Sequence, residues 1–68
     1  MSVWIIYSED GVELGRSHAL LAKTAFLVWH KPAPRALREI RSRRLTAGGH
    51  RITYDGKTFV LRREPGLG

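Results

Sequence analysis

Apolar and polar residues alternate near both ends of this 68-residue chain, and a helical period fills part of the middle. Val3-Trp4-Ile5-Ile6-Tyr7 is β-branched and aromatic, and Ser8-Glu9-Asp10-Gly11 follows it with an Asp-Gly turn before Val12-Glu13-Leu14. A two-residue loop at Asp10-Gly11 predicts Tyr7 opposite Leu14 and Ile5 opposite Arg16. Val3, Ile5, Tyr7 and Leu14 then share the face expected to be core, which points Trp4 away from it. Further on, residues 50–54 and 57–63 flank Asp55-Gly56 and predict a second hairpin, with Tyr54 opposite Lys57 and Ile52 opposite Phe59. One of its faces collects His50, Ile52, Tyr54, Phe59 and Leu61. The other, Arg51, Thr53, Thr58, Val60 and Arg62, is polar and basic apart from Val60. The two hairpins share a short likeness, Ile5 through Gly11 against Ile52 through Gly56, too brief to establish a repeat.

Between the hairpins the spacing predicts two helices. Ser17 is a good N-cap for a helix over residues 18–30, in which Leu20, Leu21, Thr24, Leu27 and Val28 form one buried stripe and Ala22, Phe26 and Trp29 lie opposite. Pro32 and Pro34 stop it, and Pro34 can open a second helix to about residue 43 or 45. There Ala33, Ala36, Leu37 and Ile40 share an arc, with Arg35, Arg38 and Ser42 on the far side and Arg41 at the border. Gly48-Gly49 ends the helical region. The expected fold class is α+β, ordered strand-strand-helix-helix-strand-strand, with a helix-turn-helix-like pair flanked by two β-hairpins. Residues 1–63 form one small domain and residues 64–68 a flexible tail.

A chain this short buries only about 60% of its unfolded surface, which leaves little room for a deep active site. With no cysteine there is no disulfide, thiolate zinc site or thiol nucleophile, as fits an intracellular protein. The 43% apolar content suits a folded domain rather than a disordered tail. The longest apolar run, residues 19–29, is broken by Lys23 and Thr24 and falls short of the roughly 20 residues of a membrane span. Met1-Ser2-Val3-Trp4 does not read as a secretory signal, so the expected location is the cytoplasm, the host's if the chain is phage-encoded.

Charge changes the picture most. The chain carries a formal net charge of +6, and residues 31–51 hold seven of its twelve Lys and Arg residues against one acid, Glu39. In the first thirty residues, Arg16 and Lys23 are balanced by Glu9, Asp10 and Glu13. Such local charge points to a polyanionic partner. On a helix, Arg35, Arg38 and Arg41 form a slanting row that Arg43, Arg44 and Arg51 extend. Guanidinium groups donate paired hydrogen bonds to phosphates and guanine edges. The expected nucleic-acid-binding set is Arg35, Arg38, Arg41, Arg43, Arg44, Arg51, Lys57 and Arg62. The plainer reading is a solvated cationic face that keeps a small protein soluble.

Catalytic and metal chemistry find no such support. His18, His30 and His50 are separated by 12 and 20 residues, unlike a metal site, and the scattered acids and serines form no catalytic constellation. No enzyme activity and no cofactor are expected. Gly48-Gly49 lacks the glycine-rich sequence of a phosphate loop. Among the aromatics, Trp29 reads first as core, and Trp4 as an exposed anchor for a protein partner.

Residues 17–63, with two helices around Lys31-Pro32-Ala33 and a hairpin after them, resemble a helix-turn-helix followed by a β-wing. The resemblance implies a second helix, residues 34–44, in the major groove and a wing touching the backbone through Arg51, Lys57 and Arg62. With its leading hairpin the chain is also similar to small phage-type regulators and to DNA-binding segments attached to homing endonucleases. Residues 41–56 resemble the end of S4-type RNA-binding domains. Two departures stand out: the interhelical turn is bracketed by Pro32 and Pro34, and the second helix offers almost only Arg, which suits phosphate contact better than base reading. The expected function is a small transcription regulator that binds DNA. The alternative is a phage-type protein that binds an acidic surface of host RNA polymerase or a transcription factor, anchored by Trp4 or Trp29.

Overall fold

The second Asp-Gly turn folds as its residue types dictate. Asp55 and Gly56 both take positive φ, 52° and 72°, which the tight turn of a two-residue hairpin demands. The strands it joins pair Tyr54 with Lys57 and Ile52 with Phe59, in the expected register. The computed structural model describes residues 2–31, 39–46 and 48–65. The elements are β1 (Ser2–Ser8), β2 (Glu13–Ala19), α1 (Ala22–His30), β3 (Arg41–Arg44), β4 (His50–Tyr54) and β5 (Lys57–Arg63). The strands form one five-stranded antiparallel sheet, ordered β2-β1-β5-β4-β3, with α1 packed on one face. The expected strand-strand-helix-helix-strand-strand order is thereby corrected: a third hairpin strand stands where the second helix was expected to end.

The first hairpin reaches its expected register by another route. The Gly11 N–H donates to the Ser8 carbonyl at 3.0 Å and the Ser8 N–H to the Val12 carbonyl at 2.8 Å, closing a three-residue loop with Gly11 at φ 89°. This puts Tyr7 opposite Glu13, not Leu14. A bulge at Leu14 then restores the offset, so that Ile6 faces Gly15 and Ile5 faces Arg16. The assignment of faces is reversed from expectation. Trp4 and Ile6 are 3% and 0% exposed beneath α1, whereas Leu14 is 43% exposed. Because β1 is apolar on both faces around Ile5, alternation alone does not choose between them. Packing does. Gly15, opposite Ile6, has no Cβ, and the Trp29 indole fills that space so closely that a Cβ there would meet its Nε1.

The same competition sets the helix phase. Residues Ala22, Ala25 and Phe26 are buried and Trp29 is packed against them, an i, i+3, i+4, i+7 stripe, while Leu20, Leu21 and Val28 are exposed. Two alanines bring the helix axis close to the sheet, and Phe26 fills the gap at 5.1 Å from Phe59 and 6.3 Å from Tyr54 between ring centroids. The helix also starts later than expected. Ser17 lies in β2, buried and opposite Trp4, and the N-cap is Leu21, with no side-chain bond. Lys31 closes the helix in the left-handed region at φ 53°, its N–H donating to the Leu27 carbonyl at 2.9 Å.

The first part of the expected second helix, residues 34–38 with Arg35, Ala36, Leu37 and Arg38, lies outside the described residues. Its last part is overturned. Ile40 is buried in the core, and Arg41–Arg44 pairs antiparallel with β4, placing Arg43 opposite Arg51 and Arg44 opposite His50. Gly48-Gly49 therefore belongs to a hairpin loop: the Gly48 N–H donates to the Leu45 carbonyl at 3.1 Å and the Leu45 N–H to the Gly49 carbonyl at 3.0 Å. This repeats the bonding of the 8–12 loop, down to a positive φ of 87° at Gly48.

Two stability outcomes follow. Phe26→Ala removes a fully buried ring and is expected to cost about 3–5 kcal/mol, enough to unfold a domain of this size, as read by loss of the cooperative thermal transition in circular dichroism. Gly49→Ala should destabilise more than Gly48→Ala in urea melts, since both take positive φ but only a Cβ at Gly49 would lie 2.8 Å from the Leu61 carbonyl.

Candidate nucleic-acid interface

A strand places every second residue on the same side, and in β3 that rule separates Arg41 and Arg43 from Ser42 and Arg44. The first pair faces away from α1. In register beside them stand Thr53 opposite Arg41 and Arg51 opposite Arg43, then Val60 opposite Arg51 and Tyr7 opposite Val60. Arg43, Arg51, Val60 and Tyr7 thus form one row across four strands, roughly 14 Å at ordinary strand spacing. Arg62 joins the same face, opposite Ile5, which in turn faces Arg16 on β2. Among the described residues no element packs over this face.

Its electrostatics are uneven. Arg16 pairs with Glu13 at 3.5 Å and Glu64 at 2.7 Å, and the Glu13 hydrogen bond and charge, then the Glu64 charge, raise its pKa above the ordinary value. Those are the ion pairs among the described residues. Arg41, Arg43, Arg51 and Arg62 have no carboxylate at that range within them. Arg62 is positioned instead by a carbonyl, donating from Nη1 to Gly48 at 3.2 Å. Arg43 directly opposite Arg51 opposes like charges across a strand pair, an arrangement that costs stability.

Of the eight expected site residues, Arg41, Arg43, Arg51 and Arg62 share this face. Arg44 and Lys57 lie on the opposite side of the sheet by alternation, and Arg35 and Arg38 lie outside the described residues. The helical row of Arg35, Arg38 and Arg41 does not hold, because Arg41 is on a strand. Sequence reasoning missed Tyr7, assigned to the core, and Arg63, whose guanidinium sits 5.3 Å from the Trp4 ring centroid. Their signal was present in the alternation of β1 and β5, once the correct face was known.

The expected protein anchors are not on offer as exposed rings. Trp4 is buried with its indole N–H donating to the Ala19 carbonyl at 3.2 Å, and Trp29 is half-buried against the core. Among the described residues no three His, Asp or Glu side chains gather as a metal site would require, and no helix is long and apolar enough to cross a membrane. No family model, curated protein or solved structure matches the chain.

Proposed function

We propose that this chain binds DNA, as a small transcription regulator, through the open face of its sheet, with the β3–β4 ribbon as the leading edge. The observation that carries this reading is the Arg43–Arg51 pair, set beside Arg41 and Arg62 with no carboxylate at ion-pair distance among the described residues. A two-stranded ribbon fits the major groove, and guanidinium groups bind phosphates in paired hydrogen bonds. Phosphates close to Arg43 and Arg51 would turn a repulsive pair into a shared attraction. Thr53 and Thr58 add hydroxyls to the same surface, but the face is poor in the amide side chains that read adenine. Affinity should therefore exceed sequence discrimination.

An acidic surface of RNA polymerase or a transcription factor would meet the same arginines. The burial of Trp4 and the packing of Trp29 remove the aromatic anchors that such a protein interface was expected to use. DNA is the better partner on this ground.

Fluorescence anisotropy with a labelled duplex across a salt series tests the reading. Affinity should fall steeply with salt, and replacing Arg41, Arg43 and Arg51 by Ala should flatten the log–log slope by about 2.7 if each meets one phosphate. No binding at low salt, or an unchanged slope, would sink the reading, and a preference for polymerase at matched salt would transfer the face to an acidic protein. A stability readout separates function from architecture: Arg43→Thr should raise the unfolding free energy in urea by about 0.2–1 kcal/mol while weakening DNA binding.

A further inference from the structure

Among the described residues no element covers the helix-facing side of the sheet at its β3–β4 end, and a cleft of about 440 Å³ lies there. Its size falls within the roughly 300–1,000 Å³ range of small-ligand sites. Four strands supply its charged and aromatic walls. Arg44 of β3 stands opposite His50 of β4, and Arg63 of β5 stands opposite Trp4 of β1. The 45–49 loop closes one end with Thr46, Gly48 and Gly49. Among the described residues no carboxylate lines the cleft, and neither Arg44 nor Arg63 has an ion-pair partner.

Two details organise this cluster. Arg63 lies over the Trp4 ring at 5.3 Å, so its charge is held against a buried aromatic floor. His50 packs edge-on to the same ring at 5.5 Å, and its buried Nδ1 makes no hydrogen bond. Two guanidinium groups and an imidazole thus surround a concave space in which no carboxylate among the described residues offsets the arginine charge. That is the chemistry of a phosphate subsite.

We infer that this cleft binds a phosphate group of a nucleic-acid strand, on the side of the sheet opposite the open arginine face. The inference rests on the DNA reading only for the source of the phosphate. Arg44 and Arg63 supply the hydrogen bonds, and Thr46 adds a hydroxyl at the rim. The β3–β4 edge would then carry phosphate contacts on both sides, Arg41, Arg43 and Arg51 on one and Arg44 and Arg63 on the other.

Inorganic phosphate, titrated at constant ionic strength and followed by amide and indole NMR shifts, is the direct probe. Saturable shifts are expected at Arg44, Gly48, Gly49, His50, Arg63 and the Trp4 indole, and none of comparable size at Arg41 or Thr53. The double variant Arg44→Gln, Arg63→Lys keeps a cation over Trp4 and should weaken binding by about tenfold or more, the effect of losing one charge-assisted hydrogen bond. The triple variant Arg41→Gln, Arg43→Gln, Arg51→Gln should retain the phosphate shifts, whatever becomes of its DNA affinity, so the two readings fail separately. Absence of saturation, equal shifts on both faces, or wild-type binding by the double variant would overturn the inference. A short oligonucleotide with and without a 5′-phosphate identifies the source: competition by both marks an internal phosphodiester, competition by the phosphorylated form alone marks a terminal monoester, and competition by neither overturns the assignment to nucleic acid.

Discussion

Phe26 against Phe59 is the contact on which the rest of the molecule depends. Among the described residues one helix of nine residues lies against a sheet of five strands, and it covers only part of one face. The largest fully buried side chains, Phe26, Ile6, Ile52 and Leu61, all belong to that single interface. Among the described residues the opposite face has no second layer to bury it. The opposite face meets this constraint with long cationic side chains: Ile5, outside the main core yet only 8% exposed, is flanked in register by Arg16 and Arg62. Aliphatic stems of arginine shield apolar surface while their heads stay in water.

Cationic residues on an edge strand have an ordinary explanation, because charge prevents a free edge from pairing with another chain. β3 is such an edge, and every residue in it is exposed. Edge protection accounts for Arg41, Arg43 and Arg44. It does not account for Arg51, which lies on the interior strand β4 directly opposite Arg43, where a threonine would serve the sheet better. Three of the six acids, Glu9, Asp10 and Glu13, sit around the β1–β2 turn, and none of the described acids comes within ion-pair distance of Arg43 or Arg51. Arg43 opposite Arg51 therefore stands at a cost in stability, one that a bound polyanion would offset.

How much of this was legible in the sequence depended on whether a local rule had a competitor. Asp55-Gly56 had none: only a tight turn suits two residues at positive φ between alternating runs, and its pairing and faces followed. At Asp10-Gly11 a three-residue loop competed with a two-residue one, and the Leu14 bulge hid the difference by restoring the Ile5–Arg16 pair. For α1 and β1 the period was readable but the phase was not, since both are apolar on more than one side. The outcome turned on Gly15 leaving space for Trp29 and on two alanines admitting Phe26, contacts between residues distant in sequence. Arg41–Arg44 has no strong local preference, and its pairing with β4 overrode a helical spacing that was only a count of arginines. The candidate site moved with it. The cationic residues were identifiable from charge alone, but which of them share a face required the sheet.

The strand order has a consequence for how the chain assembles. β1 and β2 are joined by a short loop, and β3, β4 and β5 form a continuous meander, so both groups consist of neighbours in sequence. They meet at a single ladder, β1 with β5, where Trp4 faces Arg63 and Ile6 faces Leu61 across most of the chain length. Hairpins of this kind close in about 1–10 μs, whereas a ladder between remote segments must first bear the entropy of bringing them together. The aromatic core straddles that ladder, with Phe26 from the first group packed on Phe59 from the second. The topology therefore leaves one long-range ladder to join two groups that are each local in sequence, and the arginine-rich meander has its hydrophobic side completed by a helix from the other half of the chain.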